Sequence, residues 1–192
     1  MRLILASASP RRAELLRSAG FDFEVLSADV DEFPRAGESA EDYTVRVARD
    51  KARHAARACG DPAAAVIAAD TEVVVGGRIL GKPADDAHAA EMLQALSSAA
   101  HDVLTAVVIS VKGMELAEVV TTRVWFVAMT DEEIRWYVQS GEPRGKAGGY
   151  AIQGLGARFI DRIDGSWSNV VGLPIHTVHQ MMAKVNGSPP VR

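Results

Sequence analysis

Cysteine is almost absent from this sequence, since Cys59 is the only one among 192 residues. A disulfide within the chain is therefore excluded, and a reducing cytoplasm is the compartment that fits best. Long apolar runs are absent as well. LILA at positions 3–6 is too short for the core of a signal peptide, and no run approaches the length of a membrane span. We therefore expect a cytoplasmic protein with no membrane partner.

Positive charge is also scarce, with 21 Lys and Arg against 25 Asp and Glu and a formal net charge of -4. Proteins that bind nucleic acid over a whole face usually carry a strong excess of basic residues. Nucleic acid is therefore not an expected partner, and a phosphate ligand would have to meet a local cluster of cations. The sequence also lacks a Walker A motif, a G-x-S-x-G elbow and a complete zinc ligand set, which argues against P-loop, esterase and zinc chemistry.

What the sequence does contain is a series of short apolar strands and amphipathic helices in mixed order. Ser9, Ser39 and Thr130 are predicted N-caps of three helices, and the last five residues, SPPVR, are predicted to fray. Strands and helices do not alternate strictly, so the pattern favours a mixed α/β sheet with flanking helices. No linker or repeat divides the chain. We expect a single domain over 1–192 and leave open a division into two lobes.

Two adjacent arginines, Arg11 and Arg12, follow the predicted start of the first helix. A helix N-terminus carries a partial positive charge, so cations there cost up to about 1 kcal/mol. The preceding strand, the turn of small residues and the helix start offer free N–H groups to an anion, and two guanidinium groups would add bidentate bonds to a phosphate. Solvated arginines, or salt bridges to Glu14, explain the local sequence equally well.

Asp70 follows four apolar residues and is expected at the end of a buried strand, where open sheets place their ligands. Its carboxylate could bind a metal or activate water, and Thr71 adds a hydroxyl group. The alternative is that Asp70 caps a turn into the next strand. The extended character of the residues that follow favours the functional interpretation.

Two lysines are less distinctive on local grounds. Lys82 lies in the segment GKP, and a surface loop lysine is the simpler interpretation. Lys51 borders the apolar stripe of its predicted helix, but Arg49 borders the same stripe on the other side. Helix geometry does not choose between these two residues.

The densest group of glycines falls in GKAGGYAIQGLG, at 145–156. These glycines suit a loop that folds over a polyphosphate, because they permit close approach of the backbone. Within the segment, Lys146 supplies a cation, and Gln153 offers an amide that could read the edge of a base. The neighbouring stretches YAI and ARFIDRI are predicted as strands packed into a core, which argues against a mobile loop without function.

Together these segments resemble the Maf family of nucleoside triphosphate pyrophosphatases. The resemblance covers nearly the whole chain and rests on the joint order of its motifs: LASASPRRAELL, the DE pair at 31–32, RVARDKA, AADT, LGKP, LTAV, EPRGKAGGYAIQGLGARFI and NVVGLP. It implies a mixed, twisted sheet split by a central cleft, similar to the inosine triphosphate pyrophosphatase fold. The motif Ile152-Gln153-Gly154 favours the branch of the family that acts on dTTP and UTP.

The resemblance also implies a reaction, in which water attacks the α-phosphorus of a nucleoside triphosphate and pyrophosphate leaves. Asp70 would orient or deprotonate the water and would bind Mg²⁺ or Mn²⁺ together with Glu32. The other positions that match the family are implied to contact the substrate, with Thr71 and Gln153 on the base or sugar: Ser7, Arg11, Arg12, Lys51, Thr71, Lys82, Lys146 and Gln153.

Three other functions stay open at the level of the sequence. The chain could be a nucleotide-binding regulator of septum formation without catalysis, a phosphomonoesterase, or a pyrophosphatase of the 7-methyl-GTP type. The regulator would need the cations but not Asp70 beside an acidic metal site, so AADT argues against it. The physiological nucleotide, the identity of the metal and the choice between monomer and homodimer are also left open.

Overall fold

The computed structural model describes residues 1–187, so the predicted fraying of SPPVR lies outside the described residues. Within that range, the strands are β1 (Leu3–Ala6), β2 (Glu24–Val25), β3 (Ala65–Val75), β4 (Arg78–Leu80), β5 (Ala100–Val111), β6 (Met114–Phe126) and β7 (Ile160–Asp164). The α-helices are α1 (Pro10–Ser18), α2 (Ala40–Cys59), α3 (Asp86–Leu96), α4 (Asp131–Gln139), α5 (Trp167–Val171) and α6 (Ile175–Val185). Residues Ala147–Gly149 and Leu155–Phe159 form short 3₁₀ helices.

The strands of residues 1–187 form one mixed sheet in the order β2-β1-β3-β5-β6-β7, with β4 paired to β3. The β1 strand runs parallel to β2 and to β3, whereas β3–β4 and β6–β7 are antiparallel pairs. The prediction of a mixed α/β sheet with flanking helices is therefore confirmed. The central cleft stays a prediction, as does the single domain over 1–192. Among the described residues, no helix is long and apolar enough to cross a membrane.

The chain divides into two compact units. Unit 1 comprises Met1–Asp70, Thr105–Val120 and the described residues from Gly172 onward, and unit 2 comprises Thr71–Leu104 and Thr121–Val171. In unit 1, Leu3 and Leu5 of β1 belong to a core cluster with α1 and α6, while Ile4 and Ala6 belong to a second cluster with α2. Successive strand side chains point to opposite faces, so the uniformly apolar LILA reflects a strand that is covered on both sides.

Unit 2 has its own core, in which α3 and α4 pack with parts of β3, β5 and β6. Tyr137 of α4 and Phe126 of β6 are its large buried aromatic residues, together with Tyr150 from the glycine-rich segment and Phe159. The glycine-rich segment is therefore anchored in the core of unit 2.

Most predicted helix starts are confirmed. Ser39 caps α2 by accepting a hydrogen bond from the Asp42 amide, and Thr130 forms a capping box with Glu133 at the start of α4. Ser9 occupies the N-cap position of α1 but its side chain forms no capping bond. Its amide instead donates to the hydroxyl of Ser7 at 3.2 Å.

The strand prediction for YAI is wrong, because residues 150–152 form no strand. ARFIDRI is only partly extended, since a 3₁₀ helix occupies Leu155–Phe159 before β7 begins. The physical reason lies in the glycines before it. Gly148 has a φ of +67° and its α-carbon faces Val73 so closely that a Cβ would lie 2.9 Å from that side chain. Apolar content favoured a strand, and tertiary contacts impose a compact turn instead.

Candidate functional site

One charged group of unit 1 is centred on Lys51. Its Nζ lies 2.6 Å from Glu32 Oε1 and 2.7 Å from Asp70 Oδ1. The Lys51 and Asp70 side chains are only 8% and 9% exposed, whereas Glu32 is 36% exposed. One ammonium group therefore pairs with two carboxylates at the boundary between the interior and solvent. We call these three residues the acidic cluster.

Three separate elements supply the acidic cluster. Lys51 lies midway along α2, and Asp70 lies inside β3. Glu32 lies in the loop before α2, where its carbonyl accepts a hydrogen bond from the hydroxyl of Tyr43. Arg49, the alternative cation of the helix, instead pairs with Glu115 at 2.9 Å with 44% of its side chain exposed. The structure thus resolves what helix geometry left open, because only Lys51 points toward β3.

Asp70 does not end its strand, as the sequence suggested, but lies in the middle of an eleven-residue strand. Its parallel partner β1 ends at Ala6, which pairs with Ala68, and the hairpin with β4 begins only at Val73. Asp70 therefore lies between the part of β3 that pairs with β1 and the part that pairs with β4. The turn-capping alternative is wrong, since the backbone continues extended through Thr71.

The second carboxylate oxygen of Asp70, Oδ2, is not bonded to Lys51. Asp70 Oδ2 is buried and receives no hydrogen bond from the part of the chain that the structure describes. A buried carboxylate oxygen without a donor is costly, and such atoms in native proteins usually meet water or an ion. Because Oδ1 already bonds to Lys51, Oδ2 is the atom of Asp70 that is suited to a water molecule or a cation.

Arg12 joins three segments of unit 1. Its Nε donates to the Gly172 carbonyl at 2.8 Å, and its Nη1 donates to the Ala69 carbonyl at 2.7 Å and to Ser7 Oγ at 3.3 Å. The guanidinium group therefore fixes the start of α1 to the residue before Asp70. These carbonyls offset the unfavourable free energy of a cation at a helix start. The contact with Gly172 also connects the first residue of the GLP motif to α1.

Arg11 differs from its neighbour. Among residues 1–187 it forms no hydrogen bond or ion pair, and its side chain is half-buried. Burial lowers the pKa of Arg11 from its ordinary value, while the charge of Glu14 opposes this change. The two arginines that looked equivalent in the sequence thus have different surroundings, since Arg12 is bonded to backbone carbonyls and Arg11 has no such bond among the described residues.

In unit 2, the structure brings together the loops of Lys82 and Lys146. The Gly148 amide donates to the Gly81 carbonyl at 3.1 Å, which links GKP to GKAGG. Lys146 Nζ donates to the backbone carbonyl of Glu142, and Lys82 is exposed. Gln153 is exposed five residues after Gly148. Unit 2 therefore presents two cations on adjoining loops and an exposed amide on the same glycine-rich segment.

A cavity of about 290 Å³ adjoins Lys82 in unit 2. It is lined by residues 78–82 together with His88, Glu91 and Met92. The lining combines two cations, Arg78 and Lys82, with the carboxylate of Glu91 and with apolar side chains.

His101 is a buried titratable residue of unit 2 that contacts the glycine-rich segment. It is 1% exposed, its Nε2 lies 2.8 Å from the Tyr150 hydroxyl, and its ring packs edge-on against Phe126 and Tyr150. Burial lowers the pKa of His101 from 6.5 to about 4. Burial also raises the pKa of Tyr150 above its ordinary value. Both side chains are therefore neutral near pH 7 and share a hydrogen bond within the core.

Sequence reasoning missed three polar residues that bond across the structure, of which Tyr137 and Asn169 are buried and Glu142 is half-buried. Glu142 and Tyr137 bond to each other and to the glycine-rich segment, and Asn169 donates to the Val103 carbonyl and to Thr122 Oγ1 at 2.9 and 3.0 Å. Glu142 and Asn169 lie within the motifs EPRGKAGGY and NVVGLP, so their presence beside glycines and prolines was the available signal. Their partners lie far along the chain or are backbone atoms, which no local pattern reveals.

Comparison with known proteins decides which family these residues belong to. A family profile described as Maf-like protein matches residues 2–185. The chain belongs to the Maf family. The predicted resemblance is therefore confirmed, and the acidic cluster and the two lysine loops are parts of a Maf chain.

Several relatives of this Maf chain are similar over most of their length. It is 52% identical over 178 residues to the dTTP/UTP pyrophosphatase of Anaeromyxobacter dehalogenans, covering 91% of this chain and 89% of that one. It is 50% identical over 184 residues to the dTTP/UTP pyrophosphatase of Koribacter versatilis, covering 96% and 94%. It is 48% identical over 183 residues to the dTTP/UTP pyrophosphatase of Vibrio cholerae, covering 95% and 97%.

Among solved structures, the Maf chain is similar to the Staphylococcus aureus Ham1 protein. The two share 20% sequence identity, and the match covers 68% of this chain and 73% of that chain with a TM-score of 0.43.

Proposed function

We propose that this Maf chain is a nucleoside triphosphate pyrophosphatase that hydrolyses dTTP and UTP to the monophosphate and pyrophosphate. The names of the relatives at about half identity support the activity and the pyrimidine substrates. The single structural observation that carries the chemistry is the acidic cluster. It presents a buried carboxylate, Asp70, with one oxygen held by Lys51 and the other available to a reacting water.

In the proposed reaction, Asp70 orients a water molecule and accepts its proton as the water attacks the α-phosphorus. The bond from the α-phosphorus to the bridging oxygen breaks, and pyrophosphate leaves with the electron pair of that bond. Lys51 holds Oδ1 of Asp70 at 2.7 Å and so directs Oδ2 toward the water. Fixed geometry of this kind contributes strongly, because a proton acceptor must lie within hydrogen-bond reach of its proton.

The substrate carries roughly four negative charges, so most of the remaining work is charge neutralisation. Arg11 and Arg12 of unit 1 and Lys82 and Lys146 of unit 2 are the cations that we assign to the phosphates. Arg11 is suited to this role because it forms no ion pair among the described residues. Ser7, whose hydroxyl accepts a bond from Arg12 at 3.3 Å, would keep that guanidinium group in place.

The donor atoms present fit a divalent cation. Among residues 1–187, no group of three or more His, Cys, Asp or Glu side chains is arranged to hold a metal. Mg²⁺ commonly uses only one or two carboxylates and completes its shell with waters and substrate phosphates. Glu32 and Asp70 are the residues that would hold Mg²⁺ or Mn²⁺. Bound there, such an ion would supply positive charge beside the phosphate oxygens.

Thr71 and Gln153 are assigned to the sugar or the base. Gln153 is exposed on the glycine-rich segment, and its amide can both donate and accept, as the Watson–Crick edge of a pyrimidine requires. Thr71 follows Asp70 on β3 and offers a hydroxyl group.

Product identity tests this function directly. The purified chain is incubated with dTTP, UTP, CTP, dATP, dGTP and 7-methyl-GTP in the presence of Mg²⁺ or Mn²⁺, and pyrophosphate and orthophosphate are measured separately. We expect pyrophosphate, released fastest from dTTP and UTP and abolished by EDTA. Orthophosphate alone would indicate a phosphomonoesterase, binding without any product a regulator, and preference for 7-methyl-GTP the other branch. Undiminished hydrolysis in EDTA would contradict the metal assignment.

A further inference from the structure

The turn that follows Gln153 is held by the carboxylate of Glu142. Glu142 Oε2 accepts from the Leu155 amide at 2.9 Å, and Oε1 accepts from the Gly156 amide at 2.9 Å. Both partners are backbone groups, so the contacts fix the path of the chain itself. A carboxylate that receives two main-chain N–H bonds acts here as a substitute for a helix cap.

The same carboxylate is bonded to Tyr137, which holds the chain on the other side of Gln153. The Tyr137 hydroxyl donates to Glu142 Oε1 at 2.7 Å and accepts from the Ala151 amide at 3.1 Å. Tyr137 is fully buried on α4. We call this pair the Glu142–Tyr137 clamp, because it grips the backbone two residues before and two to three residues after Gln153.

The clamp lies close enough to the backbone to restrict which residues can follow Gln153. A Cβ at Gly154 would lie 2.1 Å from Glu142 Oε2, which no side chain can tolerate without displacing the carboxylate. Lys146 also depends on this region, since its Nζ donates to the Glu142 carbonyl. The lysine assigned to phosphate is thus linked to the backbone of Glu142, and the segment that carries the amide assigned to the base is linked to its carboxylate.

The charge state of the clamp is well defined. Burial of Glu142 raises its pKa, but the hydrogen bonds from Tyr137, Leu155 and Gly156 outweigh this, so that the pKa lies below its ordinary value. Burial, together with the bond to Glu142, raises the pKa of Tyr137. Near pH 7 the carboxylate is therefore ionised and accepts only, while the hydroxyl keeps the proton that it donates.

We propose that Glu142 and Tyr137 are positioning residues for substrate recognition, which hold Gln153 in the orientation that binds a pyrimidine nucleoside triphosphate. This inference rests on the proposed function, because it assumes that the Gln153 side chain meets the substrate. Among residues 1–187, the hydrogen bonds that form the clamp all lie within unit 2. The clamp therefore acts on affinity and base preference rather than on the chemical step.

The inference is tested with Glu142→Gln and Tyr137→Phe. Glutamine keeps the shape of Glu142 but places an amide donor against one of the two backbone N–H groups, and phenylalanine keeps the volume of Tyr137 without its hydroxyl. The probe is α,β-imido-UTP, which resists hydrolysis at the α-phosphorus, and its Kd is measured by calorimetry. We expect each variant to weaken binding roughly tenfold, as the loss of one or two hydrogen bonds implies.

Kinetics and amide hydrogen exchange provide readouts that a general loss of stability would not reproduce. The KM for dTTP should rise in parallel with the Kd while kcat stays within about threefold, the pattern of a lost binding interaction. The preference for dTTP over dGTP should fall. Amide exchange at Ala151, Leu155 and Gly156 should accelerate.

Glu133→Gln is the matched control, because Glu133 is a carboxylate of unit 2 that accepts from the Thr130 backbone at 2.8 Å but does not touch residues 151–156. It should leave the Kd and the dTTP preference unchanged. An unchanged Kd in Glu142→Gln, or an equal rise in Glu133→Gln, would overturn the inference. If the unaltered chain binds the analogue but releases no pyrophosphate from dTTP, the proposed function fails while the Kd comparison still decides the role of the clamp. Absence of analogue binding would overturn both.

Discussion

Lys51 in unit 1 is buried between two carboxylates, whereas Lys82 and Gln153 in unit 2 are exposed on loops. The residues of the acidic cluster lie on β3, on α2 and on a loop tied to α2, so their distances are set by packed elements. The unit 2 residues depend on backbone hydrogen bonds within loops, such as Gly148 to Gly81. On the proposed function, we infer that the acidic cluster of unit 1 serves the chemical step and that Gln153 of unit 2 serves base recognition, which loops can vary without disturbing a core.

The largest effect is expected at Asp70. Asp70→Asn keeps the shape of the side chain but removes the proton acceptor, so kcat should fall by about 10²–10⁴-fold. The fold should persist, because Lys51 keeps its ion pair with Glu32. Steady-state pyrophosphate release measures the change. Glu118→Gln, at a surface carboxylate of unit 1 paired with Lys184, is the control and should have no effect. A wild-type rate in Asp70→Asn would exclude Asp70 as the proton acceptor.

The next largest effect is expected from a substitution of Lys51, which should lower both the free energy of unfolding and the rate of turnover. Lys51→Met leaves two carboxylates without their shared cation, and loss of one partner from a largely buried ion pair costs about 3 kcal/mol. Arg49→Met, on the same helix, removes only an exposed ion pair and should cost less than about 1 kcal/mol. Urea unfolding of the two variants compares these costs. Equal losses would mean that the acidic cluster is no more tightly coupled than a surface pair.

A smaller effect on the free energy of unfolding is expected when the pH is lowered, because of His101 in unit 2. The unfolded chain protonates His101 near pH 6.5, whereas the folded chain does so only near pH 4, so the unfolded state binds more protons between these values. The contribution of His101 to the free energy of unfolding is therefore fully present above about pH 6.5 and is lost as the pH falls toward 4. The contribution lost between pH 8 and pH 5 is about 2 kcal/mol.

Urea unfolding at both pH values measures this contribution. His101→Phe should remove it from the pH slope, whatever the variant does to the absolute stability. His176→Gln, at an exposed histidine of α6, should leave the slope as it is in the unaltered chain. A slope that survives in His101→Phe would mean that another group is responsible.

Each unit contains features that the sequence predicts correctly and features that it does not. Helix caps at Ser39 and Thr130 are local, and the sequence predicts them correctly. The position of Asp70 inside β3, and the choice of Lys51 over Arg49, depend on which strand packs against α2. Local periodicity carries no such information.

The glycine-rich segment of unit 2 shows more clearly where prediction from local sequence fails. YAI has strand-like composition, yet the Glu142–Tyr137 clamp and the contact of Gly148 with Val73 impose a turn. The clamp residues themselves have no signature of their own, because their partners are amides 13 and 14 residues further along. The family resemblance named the residues assigned to the substrate but not the residues that hold them.

The division of work between the two units is tested most directly by the ratio of single-turnover rates with dTTP and dGTP, measured at high enzyme concentration in Asp70→Asn and in Gln153→Ala. Asp70→Asn should lower both rates by the same factor and leave the ratio unchanged. Gln153→Ala should lower the ratio roughly tenfold, as expected for a lost hydrogen bond to the base, with little effect on stability because the side chain is exposed. A changed ratio in Asp70→Asn, or an unchanged ratio in Gln153→Ala, would contradict the account.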